Sequence, residues 1–157
     1  MKITNDERHA FGLAGTVAWD PARQILRWTW QPHVHFGSVV YLMLVDGDVK
    51  KGGKAEDTPS STFKKRMQSE FAKARQVIVG PIPGRPLPGW RSRKFDPFTK
   101  YAPLVLVAGH TVELWAKSFP NQSLMKAEET RLNLKYRGEW TEQGWTRDGR
   151  RIHADGE

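Results

Sequence analysis

The run Val39-Val40-Tyr41-Leu42-Met43-Leu44-Val45, closed by Asp46-Gly47-Asp48, constrains this chain more than any other segment. An apolar run with β-branched and aromatic residues fits a pleated strand, and Asp-Gly supplies the positive φ that a tight connection needs. A second short run then ends at Gly52-Gly53, so Val39 to Gly53 is expected to form a β-hairpin. Two glycines at its far end remove side chains and let another group approach the backbone. Lys50, Lys51 and Lys54 surround that gap, and a phosphate would suit it.

At 157 residues the chain has the size of one ordinary domain, and residues 1–157 are expected to fold as such. Lys and Arg number 25 against 17 Asp and Glu, a formal net charge of +8 that points to a polyanionic partner. Nucleic acid is favoured over membrane, because no long apolar segment or basic amphipathic anchor is evident. Cysteine is absent, which excludes disulfides and thiolate metal sites. The opening MKITNDERHAFG is too polar for a signal peptide, so a cytoplasmic location is the default expectation.

Phe11 to Trp30 alternates around Asp20-Pro21-Ala22-Arg23 and reads as a further hairpin, with Trp19, Trp28 and Trp30 packed into a sheet face rather than stacked on bases. After a loop at Glu56 to Ser61, whose serines can cap a helix, Thr62 to Gln76 is expected to be helical with Phe63, Met67, Phe71 and Ala74 as its buried stripe. From Gly80 to Pro103 proline, glycine, arginine and aromatics dominate, and an irregular insertion is expected. Two readings of it stand side by side: a grip on a sugar-phosphate backbone by Arg85, Arg91, Arg93, Lys94 and Lys100, or a surface loop pinned by Trp90, Phe95 and Tyr101. Val105 to Ala108 and Val112 to Lys117, joined at Gly109-His110, read as two more strands or one interrupted strand. Asn121 to Tyr136 reads as a helix made amphipathic by Leu124, Ala127, Arg131, Leu132, Leu134 and Lys135, with Gly138 as terminator.

Taken together these elements resemble the GIY-YIG nuclease superfamily. Val39-Val40-Tyr41 stands where the first triplet belongs, with the tyrosine retained, and Lys51-Gly52-Gly53 stands at the second, with its last glycine retained. Gly53-Lys54-Ala55 and Phe63-Lys64-Lys65-Arg66 match the glycine-lysine turn and the helix arginine. Glu129 is followed at family spacing by Leu132, Tyr136, Gly138, Trp140 and Thr141, where Gly138 replaces a proline and Thr141 an asparagine. The resemblance implies an α/β (α+β) fold with a small central antiparallel sheet flanked by helices. It places the core at 38–144, with an N-terminal β extension at 1–37, the insertion at 80–103 and a polar tail at 145–157.

The resemblance also implies a chemistry. Glu129 would hold one Mg²⁺, with Mn²⁺ able to substitute; Tyr41 would act as base, Arg66 would clamp the scissile phosphate, and Lys51, in the place of the second tyrosine, would supply positive charge. Some members resembling restriction enzymes carry lysine there. Lys50, Lys54, Lys64, Lys65, Arg85, Arg91, Arg93 and Lys94 are the candidate DNA-binding residues. Which of Lys50, Lys51 and Lys54 enters the site depends on strand alternation, with Lys51 favoured. An ordinary tyrosine has a pKa of about 10, so an alkaline or broad optimum is expected. Each assignment has a plain competitor: Tyr41 as core, Arg66 as surface, Glu129 paired with Arg131 or Lys126, and Glu128 as the ligand instead. His33 and His35 fall on one face of an extended segment without matching third and fourth ligands, so structural or phosphate-contacting roles are favoured over metal.

The expected function is a metal-dependent endonuclease on double-stranded DNA, a compact type II restriction enzyme working as a homodimer. The rivals are a low-specificity repair, mobile-element or toxin nuclease, and a non-catalytic DNA-binding protein.

Overall fold

A computed structural model of the chain describes residues 1–32, 37–80 and 97–141. Nine elements follow in the order α1 (Asn5–Ala10), β1 (Gly12–Asp20), β2 (Ile25–Trp30), β3 (Val39–Val45), β4 (Asp48–Ala55), α2 (Phe63–Val79), α3 (Pro97–Val107), β5 (Val112–Ser118) and α4 (Gln122–Tyr136). The strands make one five-stranded sheet, ordered β2-β1-β5-β3-β4. Every pairing in it is antiparallel. This is the α/β architecture, an antiparallel sheet flanked by helices, that the sequence led us to expect.

All seven residues of β3 are buried. Its alternate side chains therefore enter two separate cores. Val39, Tyr41, Met43 and Val45 join Phe63, Met67, Phe71 and Ala74 of α2 and Phe98, Ala102 and Leu106 of α3. Val40, Leu42 and Leu44 face the opposite way, with Met125, Leu132 and Tyr136 of α4 and with Ile3 and Phe11, which flank α1. The connection to β4 takes positive φ at both Asp46 (51°) and Gly47 (81°). Those angles match a two-residue hairpin whose twist suits its strands.

The hairpin of Phe11 to Trp30 is also present, but it does not stand outside the core as an extension. β1 pairs with β5 from Gly12 to Val17, so β1 and β2 complete the same sheet. Trp28 and Trp30 stack with their centroids 5.0 Å apart. Trp28 meets Phe71, and Trp30 meets Phe63, edge to face. The tryptophans are thus packing residues.

Five local expectations are corrected. Val105 to Ala108 is not a strand but the end of α3, and the chain is helical from Pro97, inside the segment expected to be irregular through Pro103. Proline is well placed at a first helical position. Phe98, Ala102 and Leu106 recur every four residues, and burial of that stripe overrides both the internal Pro103 and the β propensity of Val105 and Val107. At α2 the cap is Thr62, whose Oγ1 accepts from the Lys65 N–H at 3.2 Å, rather than one of the serines before it. On α4 the buried stripe is Met125, Leu132 and Tyr136, while Leu124 and Leu134 are 48% and 41% exposed. Gly138 does not end that helix, because Arg137 caps it in the left-handed conformation and donates its N–H to the Asn133 carbonyl.

A partly buried ion-pair network, centred on the buried Glu7, fastens α1 to α4. Glu7 accepts from Arg131 through both carboxylate oxygens, at 2.7 and 3.1 Å, and from Lys135 at 3.0 Å. Arg131 also donates to Glu128, one turn earlier on its own helix. Bonding to Arg131 first, and then to Lys135, holds the Glu7 carboxyl below its ordinary value of 4.5 against the opposing effect of burial. A depressed carboxylate pKa stabilises the fold above the unfolded-state value, and the contribution disappears as pH falls through the folded-state value. Glu7→Gln should therefore lower stability at pH 7 by about 1–3 kcal/mol. Urea denaturation should show the gap between wild type and variant narrowing below pH 4.5.

Candidate active site at the edge of the sheet

β4 is the last strand of the sheet, and the phase of its side chains is set by an irregularity. Met43 pairs with Lys51 and Leu44 with Val49, which leaves Lys50 as an extra residue between them, a β-bulge. In a regular strand Val49 and Lys51 would share a face. Here Val49 sits in the α4 core beside Leu44, while Lys51 stands on the face of Met43 and Tyr41. Gly53, two residues on, pairs directly with Tyr41.

The two glycines each make room for something different. A Cβ on Gly53 would lie 2.3 Å from the Tyr41 hydroxyl, so the phenol lies across Gly53 toward the sheet edge. A Cβ on Gly52 would lie 2.8 Å from Asn133 Oδ1, so on the other face the same gap admits α4. The expectation of a close approach at these glycines holds, with protein groups occupying it.

Tyr41 is 4% exposed and its ring lies 5.7 Å from that of Phe63. Burial drives its hydroxyl pKa well above the ordinary 10, the nearby charges of Glu70 and Glu129 push in the same direction, and Arg66 opposes them. Glu129 is half-buried on α4, because it falls within the Met125, Leu132, Tyr136 stripe, four residues after the first and three before the second. Burial raises its carboxyl pKa above 4.5, and the positive charges of Lys54, Lys51, Arg66 and Lys126, in that order, pull it back. Its neighbour Glu128 is instead tied into ion pairs with Lys117 and Arg131. Neither of the plain alternatives for Glu129, a pair with Arg131 or with Lys126, is formed.

Tyr41, Lys51, Lys54, Arg66 and Glu129 thus share one electrostatic neighbourhood built from β3, β4, α2 and α4. Lys51 is half-buried, with its Nζ 5.4 Å from the Phe98 ring centroid. Lys54 pairs with Val40 and so stands on the α4 face. Arg66 is exposed on the first turn of α2. Lys50 is already engaged: its Nζ lies 3.0 Å from Glu139 and its side chain is 16% exposed. Lys64 lies over the Trp30 ring and Lys65 is exposed. Arg85, Arg91, Arg93 and Lys94, together with His33, His35 and the polar tail, lie outside the described residues.

Sequence reading passed over one charged group. Glu70 falls between Met67 and Ala74, inside the apolar stripe of α2, and its charge reaches Tyr41. Lys126, weighed as an ion-pair partner of Glu129, acts on it only as a nearby positive charge. A charge inside an apolar stripe is a readable signal, and both Glu70 and Glu129 carry it.

Among the described residues no group of three His, Asp or Glu could hold a metal. Glu129 nonetheless offers one hard carboxylate donor that forms no ion pair or hydrogen bond with another described residue. That suits Mg²⁺ or Mn²⁺, since Mg²⁺ usually keeps several waters and takes one or two carboxylates. No family model matches the sequence, and no curated protein matches it significantly. Among solved structures the chain is similar to the restriction endonuclease HPY188I in complex with product DNA, with a TM-score of 0.49 and 13% sequence identity over 86% of this chain and 80% of that one.

Because the folded-state pKa of Glu129 is raised, its ionisation costs stability as pH rises above the unfolded-state value. Glu129→Gln should therefore melt a few degrees higher than wild type at pH 7, and the difference should close below pH 4.5. Thermal melts at both pH values check this.

Proposed function

We propose that this protein is a metal-dependent endonuclease of double-stranded DNA with a GIY-YIG-like site, and that within this class it is a sequence-specific restriction enzyme acting as a homodimer. One observation carries the reading: a half-buried carboxylate, Glu129, without a direct partner among the described residues, lies in the field of Lys51, Lys54 and Arg66 and within electrostatic reach of the Tyr41 hydroxyl. A solitary carboxylate amid cations suits a divalent ion on one side and a phosphodiester on the other.

In this reading Glu129 holds Mg²⁺ or Mn²⁺, which when bound neutralises charge at the leaving 3′ oxygen. Arg66, exposed beside the site, clamps the scissile phosphate. Lys51, on the face of Tyr41, supplies a fixed positive charge to offset the negative charge that builds on the phosphoryl oxygens of the pentacoordinate transition state. Lys54, Lys64 and Lys65 extend the basic surface for the DNA backbone, and Arg85, Arg91, Arg93 and Lys94 are proposed to add to it. Lys50 contributes less than the sequence suggested, because Glu139 already engages its ammonium.

Tyr41 takes its role from burial. Its phenolate form accepts the attacking water's proton, and because burial favours the protonated phenol, that form is scarce at neutral pH and grows as pH rises. A base with a raised pKa is increasingly deprotonated only at high pH, so the rate should climb through the alkaline range without levelling off below pH 10.

Incubation with plasmid and phage DNAs in Mg²⁺ tests the reading. Wild type should give discrete fragments, Glu129→Gln none, and Lys51→Ala and Arg66→Ala losses of about a hundredfold or more. Tyr41→Phe should abolish the alkaline rise. Smeared products from unrelated DNAs would point instead to a low-specificity nuclease, and salt-sensitive binding without cleavage to a DNA-binding protein.

A further inference from the structure

The turn following α4 is fitted against the bulge of β4. The Trp140 N–H donates to the Lys50 carbonyl at 2.8 Å, and the Thr141 N–H closes the turn on the Gly138 carbonyl at 3.2 Å. Gly138 is buried, and a Cβ there would lie 2.3 Å from the Lys50 carbonyl oxygen, 2.5 Å from its carbon and 2.9 Å from the Lys51 nitrogen. Lys50 Nζ then reaches Glu139 at 3.0 Å. One three-residue segment thus holds the backbone, the carbonyl and the ammonium of the single residue that β4 has in excess.

That excess residue decides which lysine faces Tyr41. If the bulge were lost and Val49 kept its partner Leu44, Met43 would pair with Lys50 and Leu42 with Lys51, turning Lys51 toward α4. Gly52 would then lie opposite Tyr41 in place of Gly53, and glycine at both positions offers no steric resistance to the slip. The slip is resisted where Ala55, buried opposite Val39, would give way to Lys54, but at the glycines and the bulge the pairing itself offers no resistance, and contact from outside the hairpin secures the phase there.

We propose that Gly138 is a positioning residue: by admitting the Gly138–Thr141 turn against Lys50 it fixes the β4 bulge and so aims Lys51 at the Tyr41 side of the sheet. Its effect on activity rests on the nuclease reading above, while its effect on Lys51 does not.

Two readouts on Gly138→Ala, Lys51→Ala, the double variant and Glu139→Gln test this. In protein carrying ¹³C-labelled lysine, the Lys51 ε-methylene signal, assigned with Lys51→Arg, is expected to be displaced by the Phe98 ring and to lose that displacement in Gly138→Ala. In single-turnover cleavage Gly138→Ala should be slowed about tenfold or more, and the double variant should be no slower than Lys51→Ala alone, because both changes act through one group. Should Gly138→Ala fail to fold, Glu139→Gln still decides, since Glu139 is 67% exposed and its loss frees Lys50 with little risk to the fold. It should move the Lys51 signal in the same direction by a smaller amount. An unmoved Lys51 signal in a folded variant, or losses that multiply in the double variant, would overturn the proposal. Absence of cleavage by wild type would defeat the nuclease reading alone, leaving the Lys51 signal to judge the positioning.

Discussion

Burial of β3 on both faces is the constraint from which the rest of the structure follows. A strand whose seven residues are all buried must be covered on either side and flanked by partners, here β4 and β5. α2 and α3 cover the side of Tyr41, and α4 with the residues flanking α1 covers the side of Leu42. The candidate groups sit where this covering ends, at β4, the outermost strand on that side. Tyr41 belongs to one core and Glu129 to the helix over the other; at the side-chain-free edge the Tyr41 hydroxyl lies against Gly53, and Asn133 of that helix against Gly52.

The electrostatics follow from the same covering. A carboxylate placed within an apolar helical stripe is partly stripped of water, and among the described residues Glu129 has no ion pair, its charge being offset by cations at a distance. Elsewhere in the molecule carboxylates of comparable burial are tied down, Glu7 by Arg131 and Lys135 and Glu128 by Lys117 and Arg131. Glu128 and Glu129, adjacent on one helix, thus differ: the first is fastened by Lys117 and Arg131, and the second has no direct partner among the described residues.

Much of this was legible in the sequence, and the failures have physical causes. The hairpin at Asp46-Gly47, the α2 stripe and the span of α4 each depend on local chemistry: positive φ, a 3.6-residue period, an Asn121 cap. The α3 segment was misread because Pro103 and the valines speak locally for a break and a strand, whereas the contacts of Phe98 and Leu106 that decide it come from α2 and the sheet. The wrong face was assigned to α4 because Leu124 and Leu134 look like core, while the buried stripe contains a glutamate. The phase of β4 could not be read at all. It depends on a bulge whose carbonyl partner, Trp140, lies ninety positions further along the chain, and strand alternation carries no trace of so distant a contact.

The central claim, that Glu129, Tyr41, Lys51 and Arg66 surround one divalent-ion site, is tested most directly by titrating Mn²⁺ into the isotope-labelled protein and mapping paramagnetic broadening. The account predicts broadening centred on Glu129 and spreading to Gly53, Lys51 and Arg66, abolished by Glu129→Gln. Broadening centred elsewhere, or unchanged in that variant, would contradict it.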